Sequence, residues 1–171
     1  MVKKNVVKNI KKFSKKRIGE LPDEFKLKKI TCFPNSTNYR GIVIIKGIKF
    51  SAKCEHHEVA IHGIMHIGYV PGFLLPGLSQ IPRIIESIVN PTVGTTQEIF
   101  TQQIADKLYK EIEPLGLIVV CEAVHECMSA RGVRQRTAST ITSELRGFVF
   151  WHADAKTEFF QLIKMNEGAQ L

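Results

Sequence analysis

The chain has 171 residues, of which 44% are hydrophobic and 23% charged, and its formal net charge is +8. This length suits one globular domain with an apolar core and is short for two domains. No apolar run approaches the roughly 18 residues of a membrane span, and the N-terminus lacks the apolar region of a secretory signal. We therefore expect an intracellular, cytoplasmic protein without a membrane partner.

The basic charge is concentrated at the N-terminus. Residues 1–30 hold eleven Lys or Arg and three Asp or Glu, whereas the remainder holds thirteen of each, so the arm carries the whole net charge. Apolar residues recur there at helical spacing between lysines: Val2, Val6, Ile10 and Phe13. This pattern predicts an amphipathic basic helix over residues 2–17. Such an arm can contact nucleic acid, an anionic membrane or a polyphosphate, but a solvated lysine-rich face explains it more simply. We expect no nucleic-acid partner, and we divide the chain into this arm and a domain over residues 31–171.

Strand signals dominate the first part of that domain. Residues 39–53 are rich in Ile and Val around Gly47, which predicts two strands or one bent strand. Residues 57–70 alternate in polarity and predict another strand. Pro-Gly pairs then bracket a loop over residues 71–77.

Two helices and further strands follow. Isoleucines at helical spacing predict a helix that begins at a Ser79 N-cap and ends near Asn90-Pro91. A longer helix is capped by Thr95 or Thr96 and ends before Pro114. The remaining predicted elements are an apolar strand buried on both faces over 117–124, a strand over 137–150 and a helix over 154–164. This order predicts an α+β domain with an antiparallel sheet and two helices packed on one face.

The densest chemistry of the sequence is Cys54-Glu55-His56-His57, and residues 125–127 add a second cysteine and histidine. Thiolate and imidazole are ligand types that suit zinc. Cys54, His57 and Cys127 therefore form a candidate zinc site, and three protein ligands leave a position open for water, as in catalytic zinc sites. An isolated Cys-x-x-His pair is more often two unrelated half-buried residues, and the distant second cluster is what favours a metal.

His56 and His125 are then left beside the candidate metal. Imidazoles next to metal-activated water can move protons in a hydrolysis, which makes these two residues candidate acid–base groups. The alternative is a purely structural role or a role in orienting the metal ligands. The other cysteines, Cys32 and Cys121, lie among apolar residues and are most simply buried small hydrophobes.

Other polar residues are weaker candidates when each is taken alone. A carboxylate such as Glu98 can accept two hydrogen bonds from a guanine edge, although an acid in a helix's first turn ordinarily complements the helix dipole. Arg131, and Ser79 with Arg83, are candidate phosphate contacts because guanidinium binds phosphate bidentately. Exposed arginines without any such role are, however, common.

With these residues in view, the chain resembles the GTP cyclohydrolase I family from about Ser51 to Ile163. The resemblance rests on several separated motifs in the right order: Cys54-Glu55-His56-His57, Gly77-Leu78-Ser79, Gln97-Glu98, Thr101-Gln102-Gln103-Ile104, His125-x-Cys127 and Ala130-Arg131-Gly132-Val133. It implies the tunnelling fold and a homo-oligomeric ring, commonly a decamer, with active sites at subunit interfaces. It also implies a zinc-dependent hydrolysis in which water attacks C8 of GTP and His125 protonates N7, giving formate and 7,8-dihydroneopterin triphosphate.

The resemblance also implies a role for each candidate residue. It assigns zinc to Cys54, His57 and Cys127, and the proton transfers to His56 and His125. The residues implied to bind substrate are Gln97 and Glu98 at the guanine and Ser79, Arg83 and Arg131 at the phosphates.

The phosphate-binding positions depart from the family pattern. Gln80 stands where the family usually has a lysine, and residues 1–50 contain no counterpart of its upstream Thr-Pro-x-Arg helix. One alternative is therefore an enzyme of the same scaffold that acts on a guanine nucleotide with a different 5′ group. Another is a non-catalytic, zinc-stabilised tunnelling-fold protein that binds a partner.

Overall fold

A computed structural model describes residues 30–89 and 91–165, so the basic helix predicted over residues 2–17 lies outside the described residues. The strands are β1 (Cys32–Pro34), β2 (Val43–Cys54), β3 (Ala60–Val70), β4 (Leu74–Pro76), β5 (Gly94–Thr95), β6 (Gly116–His125) and β7 (Thr140–Gly147). The helices are α1 (Gln80–Ile88), α2 (Gln97–Ile112), α3 (Glu126–Ser129), α4 (Phe148–Trp151) and α5 (Ala153–Lys164).

The main sheet of the described residues has the strand order β5-β2-β3-β6-β7. The long strands β2, β3, β6 and β7 pair antiparallel with their neighbours, and short β5 lies parallel to the end of β2. Strands β1 and β4 form a separate antiparallel pair. The predicted α+β domain with an antiparallel sheet is confirmed.

Strand β2 is one bent strand, which decides between the two alternatives for this segment. Its register against β3 shifts between Ile45 and Ile48, and Gly47 lies within that shift at a φ of +76°. Only glycine adopts this left-handed region without strain, so Gly47 permits the bulge that bends the strand.

Helices α1 and α2 cover one face of the sheet, as predicted. Alternate residues of β3 and β6 point into this core, in keeping with the two-residue period of a strand. The largest side chains of the core are completely or almost completely buried: Ile61, Met65, Ile67, Tyr69, Ile84, Phe100, Ile104, Leu108 and Ile112. Because both helices pack firmly on this face, the start of α2 is held against the end of the sheet.

The opposite face is covered in part by α5. Phe159 of this helix is fully buried, together with Ile118, Val120 and Val149. Residues 116–121 are therefore buried on both sides, as the continuous apolar run predicts, whereas Val124 is exposed where α5 no longer covers the sheet.

Three local features differ from the sequence-based expectations. Strand β7 ends at Gly147, where a φ of +64° turns the chain, and residues 148–151 are helical instead of extended. Ser79 occupies the N-cap position of α1, but its hydroxyl makes no capping hydrogen bond within the described part of the chain. The short elements β1, β4, β5 and α3 were not predicted, since two to four residues carry no measurable periodicity.

Among the described residues, no helix is both long enough and apolar enough to cross a membrane.

Candidate metal and catalytic site

Three parts of the chain meet at one end of the main sheet: the turn after β2, the first turn of α2 and the end of β6. Cys54 is the last residue of β2, and its N–H donates to the Val59 carbonyl at 2.8 Å across a tight turn. Glu58 adopts a φ of 56° in that turn and donates its own N–H back to the Cys54 carbonyl at 2.9 Å. The turn is held beside β5, because the Glu55 N–H donates to the Thr95 carbonyl at 3.2 Å.

The predicted metal ligands come together in this structure. The ligand atoms of Cys54, His57 and Cys127 all lie within 4.8 Å of one another. Cys127 reaches the turn because α3 begins directly after β6, whose last residue, His125, pairs with Ile61 near the start of β3. The register of β6 against β3 thus brings Cys127 to Cys54 and His57, from which it is distant in sequence.

The spacing of these ligand atoms fits a tetrahedral zinc ion. With Zn–S bonds of about 2.3 Å and Zn–N bonds of about 2.0–2.1 Å, a sulfur and a nitrogen ligand are separated by about 3.6 Å. The Cys54 Sγ and His57 Nδ1 atoms lie 3.6 Å apart. The donor set of two thiols and one imidazole also matches known zinc chemistry.

The electrostatic environment of the thiols favours a cation as well. Burial raises the pKa of Cys127, and the adjacent Cys54 thiol raises it further, while Arg131 acts in the opposite direction. A divalent cation held by Cys54, His57 and Cys127 would stabilise both thiolates and offset this penalty. Arg131 follows Cys127 closely in the chain, just after α3.

His125 lies on the core side of the sheet, against the first turn of α2. Its Nε2 atom lies 2.8 Å from Oε1 of Gln97. Burial lowers the pKa of His125, and the negative charge of Glu98 partly opposes that shift. His125 and the metal ligands therefore share one end of the sheet with Glu98.

The two residues expected at the guanine have different environments. Thr96 caps α2 by accepting a hydrogen bond from the Ile99 N–H at 3.4 Å, so the next two residues begin the helix. Gln97 points inward and is 1% exposed, whereas Glu98 is exposed beside His125.

His56 is exposed on the same turn as the metal ligands, and the centroids of the His56 and His57 rings are 6.3 Å apart. Glu55 is also exposed on that turn. The structure therefore places His56 and His125 on two different elements that both border the metal ligands.

Ser79 and Arg83 lie elsewhere in the chain. Gly77, two residues before Ser79, donates its N–H to the Thr31 carbonyl at 3.0 Å. Cys32, which follows Thr31, contacts with its thiol the carbonyl of Glu111, in the last turn of α2, at 4.0 Å. Ser79 is thus near the C-terminal end of α2, whereas the metal ligands are near its N-terminal end. Helix α2 has 16 residues. At 1.5 Å per residue it is about 24 Å long, so one chain does not bring Ser79 to its own metal ligands.

Sequence reasoning missed a pair of buried threonines behind Gln97. Thr101 donates to the Gln97 backbone carbonyl at 2.6 Å, and its hydroxyl lies 2.8 Å from that of Thr142. The four-residue spacing of Gln97 and Thr101 on one helix was a usable signal. No sequence pattern could have indicated Thr142, because its position beside Thr101 depends on the register of β7 against β6.

The sequence matches GTP cyclohydrolase I over residues 5–164. The chain belongs to the GTP cyclohydrolase I family. It is therefore an enzyme, of the hydrolase class, and its sheet and helices are those of the tunnelling fold. The match begins well before Ser51, where the recognisable motifs start, and so extends into the basic arm.

Named relatives are similar over most of this chain. A GTP cyclohydrolase 1 of Hydrogenobaculum sp. (strain Y04AAS1) is 40% identical over 152 residues, which are 86% of this chain and 82% of the relative. That of Aquifex aeolicus (strain VF5) is 38% identical over 152 residues, 86% of this chain and 81% of the relative. That of Mycobacterium tuberculosis (strain ATCC 25618 / H37Rv) is 44% identical over 125 residues, 71% of this chain and 60% of the relative.

Proposed function

We propose that this chain hydrolyses GTP, opening the imidazole ring of the guanine to give formate and 7,8-dihydroneopterin triphosphate. One observation carries the proposal: Cys54, His57 and Cys127 form a group able to hold a metal, and His125 ends the strand that leads directly to Cys127. The named relatives, each a GTP cyclohydrolase 1, support the same reaction. Water adds at C8, the ring opens, C8 leaves as formate, and the ribose carbons close the new ring.

Zinc is the proposed metal, held by Cys54, His57 and Cys127. When bound there, it supplies a Lewis acid that lowers the pKa of water to near neutrality. The protein fixes the three ligand atoms at one end of the sheet and leaves the exposed side of the group open to a substrate.

His125 and His56 are the proposed proton carriers. His125 protonates N7 of the purine as C8 is attacked, and His56, exposed on the turn after β2, exchanges protons with the departing atoms.

Glu98 is the proposed guanine anchor. It is exposed in the first turn of α2, next to His125, and its two carboxylate oxygens match the N1–H and 2-amino donors of guanine. A guanine held there places its imidazole ring towards the metal ligands.

The proposed assembly is a homo-oligomeric ring with active sites between subunits. The support is the position of these residues in the fold. Arg131 follows Cys127 closely in the chain, whereas Ser79 is near the other end of α2 and Arg83 follows it in the first part of α1. If Ser79 and Arg83 bind the substrate's phosphates, they do so at the metal group of a neighbouring copy.

The proposed function is tested by measuring formate and fluorescent pterin from zinc-loaded protein. We expect about one zinc per chain and formate release from GTP. Cys127→Ser is expected to lose both, because two remaining ligands hold zinc poorly. Cys32→Ser is the matched control, since Cys32 lies near the far end of α2 and should leave zinc content and rate unchanged. Protein that holds zinc but releases no formate from GTP, GDP, GMP or dGTP would rule the function out.

A different 5′ group on the substrate is the second candidate, and Gln80 is the observation that favours it. Gln80 is a neutral residue at the first position of α1, where the family usually has a lysine. A missing charge-assisted contact to phosphate costs on the order of 2 kcal/mol. The same substrate panel decides the question: a higher kcat/KM for GMP or GDP than for GTP favours this candidate, and the reverse order favours GTP.

A further inference from the structure

The Gln97 side chain is buried, and its hydrogen bonds go to groups of the protein and not towards a substrate. Its amide nitrogen lies 3.2 Å from the Cys121 carbonyl, 2.9 Å from the Thr140 carbonyl and 3.2 Å from the Thr142 hydroxyl. Its amide oxygen lies 2.8 Å from Nε2 of His125. The residue is 1% exposed, so a guanine ring cannot reach the amide without displacing it.

The orientation of this amide is fixed by the groups around it. The Cys121 and Thr140 carbonyls only accept hydrogen bonds, so the NH₂ end of Gln97 must face them. The threonine hydroxyls are consistent with this orientation. Thr101 uses its one hydroxyl hydrogen for the Gln97 backbone carbonyl, so the hydroxyl of Thr142 must donate to Thr101. The Thr142 oxygen can then accept a hydrogen bond from the Gln97 amide. The Oε1 atom is thereby left facing His125.

The orientation of the Gln97 amide decides which nitrogen of the His125 ring carries a hydrogen. An amide oxygen only accepts, so Nε2 of His125 must carry a hydrogen and donate it to Gln97. In a neutral imidazole the partner of one nitrogen decides which nitrogen is protonated. Nδ1 is then the nitrogen without a hydrogen, and it is the one free to exchange a proton.

We infer that Gln97 is a positioning residue that holds His125 as the Nε2–H tautomer, so that proton exchange with the substrate takes place at Nδ1. The part of this inference that concerns proton exchange with the substrate rests on the proposed function. The tautomer itself follows from the hydrogen bonds of Gln97 alone. It differs from the guanine contact that the family resemblance implies for Gln97, and it leaves Glu98 as the anchor of the base.

The tautomer is measured directly by nitrogen NMR on full-length, zinc-loaded, substrate-free protein with ¹⁵N-labelled histidines. Loss of one signal set in His125→Asn assigns the residue. We expect the neutral ring to carry its hydrogen on Nε2. A hydrogen on Nδ1 would overturn the inference, and so would rapid averaging of the two tautomers. Because no substrate is present, the result stands whether or not the protein proves to release formate.

Two variants then separate positioning from substrate binding and from a structural role. Gln97→Met keeps the length of the side chain but removes every hydrogen bond, and Thr142→Val removes one Gln97 contact without touching His125. For a positioning role, Gln97→Met should mix the tautomers and lower kcat by about 10²-fold with a nearly constant KM, while Thr142→Val preserves both. A raised KM with unchanged kcat, or equal losses of kcat in the two variants, would overturn the inference.

Discussion

Histidine side chains of this chain differ in the partner that each ring meets, and the partner decides what the residue can do. His125 faces the Gln97 amide, His62 lies 3.5 Å from a Glu126 carboxylate oxygen, and His66 accepts the Gly47 N–H at its Nδ1 atom. Sequence alternation predicts no metal-binding or catalytic role for His62 and His66, and both lie on the sheet face opposite α1 and α2. The same residue type thus lies in the candidate site at position 125 and only in the strand at positions 62 and 66.

His66 should make the stability of the fold sensitive to acid. Burial lowers the pKa of His66 below its usual 6.5, with Glu122 opposing and Lys46 adding to the shift. The unfolded chain therefore binds a proton more readily than the folded chain, so stability is full above about pH 6.5 and falls as the pH drops below it. Protonation also places a hydrogen where the Gly47 N–H donates, at 3.3 Å.

The measurement is urea unfolding between about pH 5 and 8 in the presence of a chelator, since acid release of a metal would add its own pH dependence. His66→Asn keeps an acceptor near Gly47 but does not titrate. We expect a shallower loss of stability in this variant than in the wild type at acid pH. Parallel curves for the two proteins would contradict the role of His66.

Cys121 should be chemically inert in the folded protein. It is fully buried in β6, and burial raises its pKa to about 12, with the nearby polar groups of Thr142, Thr101 and Gln97 only partly offsetting the shift. Because the thiolate is the nucleophile, alkylation at neutral pH requires unfolding. Mass spectrometry after iodoacetamide treatment should find Cys121 unmodified in native protein and modified in urea. Modification of native Cys121 at the rate of Cys127 would show that this core opens readily.

At the scale of elements, α5 packs on the sheet with its only fully buried side chain, Phe159, against a glycine. Phe159 is fully buried, and a Cβ added to Gly68 of β3 would lie 2.5 Å from the Phe159 ring and 2.9 Å from Ile118. The absence of a side chain at this position lets the helix approach the strand closely.

Gly68→Ala should therefore loosen this contact. We expect a loss of about 1–3 kcal/mol of unfolding free energy, because the ring or the helix has to move away. Gly77→Ala is the matched control, since a Cβ there would lie 3.5 Å from the nearest atom, and it should change stability little. Similar losses in the two variants, measured by denaturant unfolding, would argue against close packing as the cause.

Helix α2 is the element that connects the core to the site. Its apolar face packs in the core, and its first turn supplies Gln97 and Glu98. Arg146 of β7 forms an ion pair with Asp106 at 2.9 Å and another with Glu144 at 2.6 Å, which ties the outer side of the helix to the last strand. The position of the site thus depends on packing along the whole helix.

At the scale of the whole molecule, the separation of the metal ligands from Ser79 and Arg83 is the feature with the largest consequence. The two groups lie near opposite ends of a helix that is about 24 Å long. If a nucleotide binds with its base at the candidate metal group of one chain, as we propose, it can reach these residues only in another copy.

Subunit mixing tests this arrangement. Cys127→Ser and the double variant Ser79→Ala/Arg83→Ala should each lack normal activity at low GTP, the first through the metal and the second through the phosphates. If each active site combines two copies, co-expression should restore activity, because some sites then contain both intact halves. Activity no higher than the sum of the separate variants would place the whole site within one chain.

Much of the site could be predicted from the sequence because its chemistry is local. Cys54, His56 and His57 fall within four residues, and His125 and Cys127 within three, so their ligand types and spacing already favour a metal. The long helices and strands were predictable for a similar reason, since each repeats an apolar pattern over many residues. Neither the local spacing of ligand-type residues nor the apolar pattern of an element predicts which distant segments contact each other.

The sequence by itself determined the main elements, the candidate metal ligands and the family, since these depend on residue type and short-range spacing. Only the tertiary structure decided that Gln97 faces His125, that Thr142 lies behind Gln97 and that Ser79 lies far from the candidate metal ligands. Each of these depends on strand register or helix packing, where a shift of one residue turns a side chain to the other face. That information is contained in contacts between segments and in no single stretch of the chain.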